Sequence, residues 1–186
     1  MSRVIVITGP SGVGKRTLIQ GLRERIPELE LSVSATTRGP RPGERDGVDY
    51  HFLSDPEFDR LLAQGAFVEH ASYAGNRYGT LRSELQRRLE RGVPVVLEIE
   101  VQGARQVREA LPHAQTVFIA PPSLEALRAR LSERGTDSAD QVQSRLQTAA
   151  RELEARSEFA YVVVNDQLGQ ATEELAEIVR AALISN

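Results

Sequence analysis

The stretch VIVITGPSGVGKRT, residues 4–17, decides the architecture. Val4–Thr8 is a short β-branched run of the kind that forms a strand buried on both faces. Gly9, Pro10, Ser11, Gly12, Val13, Gly14 and Lys15 follow as a glycine-rich turn with the spacing of a phosphate-binding loop. Leu18, Ile19, Leu22 and Ile26 then recur at helical spacing, so Lys15–Arg25 reads as an amphipathic helix closed by Pro27. The order strand, turn, lysine, helix has a physical purpose. The turn aims successive backbone N–H groups at phosphate oxygens, the helix N-terminus adds positive potential, and Lys15 reaches the outer phosphates of a bound triphosphate. The loop departs from the pattern once: Arg16 stands where a Ser or Thr normally meets the metal, and Thr17 comes next.

Outward from this loop the chain alternates strands and helices. Helices are expected at Leu81–Arg91, Gln102–Leu111, Ser123–Arg134, Gln141–Arg156 and Gln170–Ile184. Strands are expected at Pro94–Ile99, Thr116–Ala120 and Tyr161–Val164. Such alternation implies an α/β fold, a parallel sheet flanked by crossover helices. The region from about Ser32 to Arg82 breaks the rhythm. It holds the turn-rich RGPRPGERDG, short β-like pieces around Tyr50–Leu53 and Phe67–Tyr73, and a helix across Pro56–Gln64. It reads as an insertion with its own small sheet.

Composition narrows the function. The chain has 186 residues, 40% apolar and 26% charged, with a formal net charge of −3. Bulk charge therefore points to neither nucleic acid nor an acidic membrane, and an anion must be held by a local site. No cysteine is present, which excludes disulfides, thiolate catalysis and cysteine metal sites. No stretch has a signal peptide's pattern or a membrane span's length, so a cytoplasmic enzyme is the expectation. Lys15 is the only lysine among 23 basic residues, and it sits inside the glycine loop. There a compact, flexible ammonium does what a planar guanidinium cannot.

Two further groups of residues carry chemistry. Arg38 and Arg41, with Arg45 nearby, put guanidinium forks on a loop stiffened by Pro40 and Pro42, a geometry suited to paired phosphate oxygens. In Val95–Val101, strand alternation places Glu98 and Glu100 together on the face opposite Val95, Leu97, Ile99 and Val101. They fall at the C-terminal end of a sheet strand, the edge where open α/β folds bind ligands. Two carboxylates there need a cation or hydrogen-bond donors. His51, His70 and His113 show neither triad nor metal spacing.

The segments SVSATTRGPRPGERDGVDYHF, FVEHASYAGNRYGT, LEIEVQGARQV, APPSLEALRARLSERGT and VVVND, in that order, closely resemble the guanylate kinase family across essentially the whole chain. The resemblance implies a core (1–32, 83–122, 158–186), a GMP-binding insertion (33–82), and a helical lid with flanking helices (123–157). It implies phosphoryl transfer from ATP to GMP with Mg²⁺, the metal being held mainly by phosphates and water, with Thr17 and Glu98 as candidate contacts. ATP would be held by Gly9 to Thr17 of the loop, by Arg134, and by Asn165 with Asp166 near adenine. The GMP phosphate would be held by Arg38, Arg41, Tyr50 and Tyr78. Guanine would meet Ser34 at O6 and Glu69 at its donor edge, with Thr80 and Glu100 in support and Glu98 facing the metal's water shell. Lys15, Arg38, Arg130, Arg134 and Arg145 are the expected catalytic cations.

A carboxylate accepts from both N1–H and N2–H₂ of guanine while a hydroxyl donates to O6, a pairing that adenine mismatches. Because the acceptor is itself a phosphate, ionised near neutrality, no general base is needed. The family usually has aspartate at one or both of positions 98 and 100, so reach differs here. Partners are expected to be ATP and GMP alone, on a monomer or homodimer, with neither nucleic acid nor membrane. Two other readings stay open. One is a catalytically silent guanylate-kinase-like module that binds phosphopeptides, toward which Arg16 points. The other is a kinase with a non-nucleotide phosphate acceptor, against which Ser34, Glu69 and Glu100 argue.

Overall fold

The computed structural model describes residues 3–73, 75–133 and 139–184. Among these, five parallel strands form the main sheet in the order β2 (Glu30–Leu31), β7 (Val95–Glu98), β1 (Val4–Thr8), β8 (Gln115–Ala120), β9 (Tyr161–Val164). β1 is central and wholly buried, as its unbroken β-branched run requires. Helices cover both faces. Ile5, Ile7, Val96, Val117 and Ile119 meet Leu18 and Leu22 of α1 (Lys15–Arg25) and Leu175 and Val179 of α7 (Leu168–Ile184). Val4, Val6, Val95 and Leu97 meet Leu85 of α3 (Arg82–Glu90) and Ala104 and Val107 of α4 (Val101–Ala110). The α/β expectation holds, with element bounds moved by a residue or two.

The insertion carries a second sheet, ordered β4 (His51–Phe52), β3 (Ala35–Thr36), β6 (Asn76–Leu81), β5 (Phe67–Tyr73). β2, β3 and β6 were not expected from the sequence. The first two have two residues each, too short for periodicity, and β6 lies in a stretch rich in glycine and polar residues. α2 (Asp55–Ala63) starts on a capping box: Ser54 accepts from the Glu57 amide, and Glu57 accepts from the Ser54 amide. Its Phe58 is fully buried and stacks on Phe67 with ring centroids 4.5 Å apart, while the Arg77 guanidinium lies 4.6 Å above the Phe58 ring. α5 (Leu124–Glu133) and α6 (Ala139–Glu154) join through Leu127, Leu131, Leu146 and Ala149. A 3₁₀ turn, Ala155–Glu158, then leads into β9. No helix among the described residues is long and apolar enough to cross a membrane.

β7 ends at Glu98, one residue before the expected strand end, and Glu100 is already the N-cap of α4. The expected alternation through Val101 is therefore corrected: the two acids reach the sheet edge on different elements.

Phe58 is the largest fully buried side chain in the insertion's small core. Phe58→Ala is expected to cost about 3–5 kcal/mol, read as a lower denaturant midpoint. A loss well under 1 kcal/mol would show that the insertion is held by something else.

Candidate active site

The glycine loop turns at the C-terminal end of β1 under tight steric limits. Gly9 has φ 146°, and a Cβ there would lie 2.2 Å from the Ile119 carbonyl oxygen. Gly14 caps α1 in the left-handed conformation, φ 96°, and a Cβ there would lie 2.6 Å from Asn165 Nδ2. Only glycine fits both positions. Lys15 Nζ donates to the carbonyls of Gly9 at 2.5 Å and Pro10 at 3.2 Å, curling over the loop. Asn165, buried at the end of β9, donates to the Val13 carbonyl at 2.8 Å. Arg130 of α5 donates to the carbonyls of Asn165 at 2.8 Å and Val13 at 3.4 Å. The loop is thus braced from the far side of the sheet.

Two clefts open from it. The larger, of about 680 Å³, is lined by Ser11, Lys15 and Arg16 of the glycine loop and by Arg38, Arg41, Tyr50 and Tyr78 of the insertion. Ser34, Glu69, Glu98 and Glu100 also face it. The shallower, of about 410 Å³, is lined by Gly12, Gly14, Thr17, Arg130, Asn165 and Asp166. Thr17 and Glu98 therefore face different clefts. The chain offers a cation one carboxylate, Glu98, beside the loop; among the described residues no cluster of three or more acidic or histidine side chains is arranged around a metal. That fits an ion such as Mg²⁺, which keeps its waters and binds through few carboxylates plus phosphates, and it does not fit Thr17 as a co-ligand.

On the insertion side, Arg38 Nη2 pairs with Glu44 Oε1 at 2.9 Å, and the Arg41 amide donates to Glu44 Oε2 at 2.8 Å. The Arg38 guanidinium lies 5.2 Å from the Tyr50 ring centroid. Glu44 thus holds the arginine loop in shape, a role the sequence reading missed. Its spacing at i+3 from Arg41 was the available signal. Arg45 lies on the exposed part of this loop, its amide donating to Asp49, and is not among the cleft-lining residues.

The carboxylates are the most perturbed groups. Glu69 is 4% exposed, and burial pushes it up to about 7, against a 2.7 Å hydrogen bond from Thr80 Oγ1. Nearby Glu100 pushes the same way. Thr80 is itself fully buried, so it supports Glu69 from behind. The other oxygen of Glu69 rests on Gly103 of α4, where a Cβ would lie 2.3 Å from it. Burial also raises Glu98, opposed by Lys15 and Arg16. Burial, and then Glu100, raise Glu152 of α6, a residue absent from the sequence reading, to about 7. Nothing local marked it, because it comes from a helix remote in sequence. Arg145 is half-buried on α6, and Arg134 lies outside the described residues.

The chain is similar to known proteins over nearly its whole length. The family model described as Guanylate kinase matches residues 1–182. The guanylate kinase of Thermobifida fusca is 52% identical over 179 residues, covering 96% of this chain and 91% of the relative. That of Synechococcus sp. (strain JA-3-3Ab) is 53% identical over 177 residues, covering 95% of this chain and 82% of the relative. The crystal structure of a guanylate kinase from Anaplasma phagocytophilum superposes with a TM-score of 0.78 at 32% identity, covering all of this chain and 88% of that one. A sugar kinase from Janibacter sp., at 19% identity and a TM-score of 0.58, shares the fold.

Since Thr80 lowers the Glu69 carboxyl against its burial, Thr80→Val is expected to shift the Glu69 titration midpoint further upward. Carboxyl ¹³C NMR reads this directly, and an unmoved midpoint would show that the hydroxyl gives no support.

Proposed function

The chain belongs to the guanylate kinase family and is an ATP:GMP phosphotransferase; we propose that the work divides between a donor loop built on Lys15 and an acceptor nest built on Arg38 and Arg41. One observation carries this reading: Ser11, Lys15 and Arg16 of the glycine loop and the arginine–tyrosine nest line a single cleft. Phosphoryl transfer consists mostly of bringing two repelling anions into line while neutralising their charge, and such a cleft suits that task. The loop amides and Lys15 would hold the β- and γ-phosphates of ATP. Lys15 already bends across the loop onto Gly9 and Pro10, so it exchanges two carbonyls for phosphate oxygens without a long search.

Arg38 and Arg41, with the hydroxyls of Tyr50 and Tyr78, would hold the GMP phosphate. A bound dianion then competes with Glu44 for Arg38, and the fork's remaining donors allow both contacts. Ser34 and Glu69 would read O6 and the donor edge of guanine, with Glu100 beside them. Glu69, raised to about 7, accepts from two donors once ionised, and guanine's N–H groups favour that ionised form. Gly103 supports the assignment by leaving room for the carboxylate against α4. Asn165 and Asp166, with Arg130, line the shallower cleft and would meet the adenine side of ATP. Arg145, and Arg134 beyond the described residues, are proposed as cations that meet the transferred phosphoryl group when α5 and α6 close over it. Mg²⁺ would supply charge neutralisation between the phosphates. Glu98 is the carboxylate placed to hold its water shell.

Arg16 points toward the phosphopeptide-module reading, and the intact Lys15 and braced loop argue against it.

An assay of ADP release with each of the four monophosphates is expected to show turnover with GMP and little with AMP, CMP or UMP. Equal rates with AMP would overturn the base-reading assignment. Lys15→Ala is expected to lower kcat by at least about 10²-fold while the melting temperature stays near wild type. Retained turnover would remove Lys15 from the catalytic set.

A further inference from the structure

Among the described residues β5 is an outer strand of the second sheet, so one of its backbone edges has no strand beside it. Such an edge presents amides and carbonyls that need partners. At His70 the partner is a side chain. Gln106 of α4 accepts from the His70 amide at 3.1 Å and donates to the His70 carbonyl at 2.7 Å. Its Nε2 also reaches the Gln102 carbonyl of its own helix at 3.4 Å. A carboxamide offers an acceptor and a donor side by side, as the peptides of a neighbouring strand would.

The clamp falls beside an irregularity. Phe67 pairs with Leu81 and Glu69 with Thr80, so two steps along β5 match one along β6 and Val68 is the extra residue. A bulge of this kind leaves the extra residue unpaired and re-aims its neighbours. Here consecutive residues serve different places: Val68 joins Ala104 and Val107 of α4 in the apolar core, and Glu69 lines the larger cleft. Gly103 and Gln106, three apart, share one face of α4. Gly103 leaves room for the Glu69 carboxylate, since a Cβ there would lie 2.3 Å from Oε2, and Gln106 grips the backbone one residue farther on. Thr80 Oγ1 holds the other carboxylate oxygen at 2.7 Å. The ladder to β6 is interrupted just before Glu69, so the grip from α4 fixes where that carboxylate stands.

We propose that Gln106 is a positioning residue for guanine recognition: its carboxamide stands in for a neighbour strand on β5, locks the peptide after Glu69 to α4, and so holds the Glu69 carboxylate at the donor edge of GMP. The inference rests on the GMP assignment above. Without the clamp the bulged segment relaxes, the carboxylate leaves the base edge, and GMP binds less well. The ATP contacts proposed on the glycine loop stay in place.

The test is a double-mutant cycle on the full chain: wild type, Gln106→Met, Glu69→Gln and the two combined, by steady-state kinetics, with thermal melting as a fold control. Gln106→Met keeps the length of the side chain and removes both hydrogen bonds. It is expected to raise KM for GMP about tenfold, the worth of one hydrogen bond to a charged group, with kcat and KM for ATP little moved. In the Glu69→Gln background the same change is expected to move KM for GMP by less than about twofold, because the group it positions is already gone. Arg105→Ala, which breaks the pairing of α4 with Glu158, is expected to leave KM for GMP near wild type. Should Gln106→Met melt below the assay temperature, Gln106→Glu, which keeps an acceptor and loses the donor when ionised, enters the same cycle. An unmoved KM, equal factors in both backgrounds, or the same rise from Arg105→Ala would overturn the inference and leave the substrate assignment standing. A Glu69→Gln enzyme with wild-type KM for GMP would overturn the base-reading assignment and the inference together.

Discussion

Parallel pairing of β1 with its two neighbours places nearly every group in the cleft. Ile7 lies opposite Glu98 of β7 and opposite Val117 of β8, so the glycine loop leaves β1 at the level where β7 delivers its acid. One strand farther on, β9 pairs with β8 and ends at Val164, and the side-chain amide of the next residue, Asn165, reaches back to the Val13 carbonyl. Because parallel strands share one C-terminal edge, the glycine loop, Glu98 and Asn165 arrive together. The sheet has little freedom to slip, since β1 is buried on both faces and a one-residue shift would exchange Ile5 and Ile7 for Val4 and Val6 in differently shaped cores.

The cleft has an electrostatic division. Its lining carries the cations Lys15, Arg16, Arg38 and Arg41, proposed above to meet phosphates. It also carries the acids Glu69, Glu98 and Glu100, proposed above for the base and the metal's water shell. Burial holds Glu69 and Glu98, and Glu152 of α6, above the ordinary carboxylate range. Such groups are unfavourable as isolated anions and are relieved by donors or cations. The donors of a guanine edge and the charge of a hydrated metal, as proposed above, would supply that relief. The loop departure at Arg16 fits this division. Its guanidinium faces the larger cleft and opposes the raised pKa of Glu98, where a hydroxyl would have offered no charge.

Several of these features could be read along the chain because their physics is local. The strand, glycine turn, lysine and helix at residues 4–25 follow from periodicity and sterics, and the observed bounds of β1 and α1 equal the expected ones. Arg38 and Arg41 were visible as paired forks on a proline-stiffened loop. Glu44 escaped because its value lies in whom it touches. β3 and β6, which set Thr80 behind Glu69, escaped because a two-residue strand and a mostly polar one are defined by their partners rather than by periodicity.

The sequence by itself determined the α/β class, the phosphate loop, the order of core and insertion, and the family likeness, all carried by short-range pattern. Tertiary structure alone decided that loop and nest share one cleft, that Thr17 and Glu98 face different ones, and that burial and Glu100 raise Glu152. The reason is that burial and charge coupling depend on which distant elements pack together. A glutamate's protonation is set by its neighbours in space, and no window along the chain contains them.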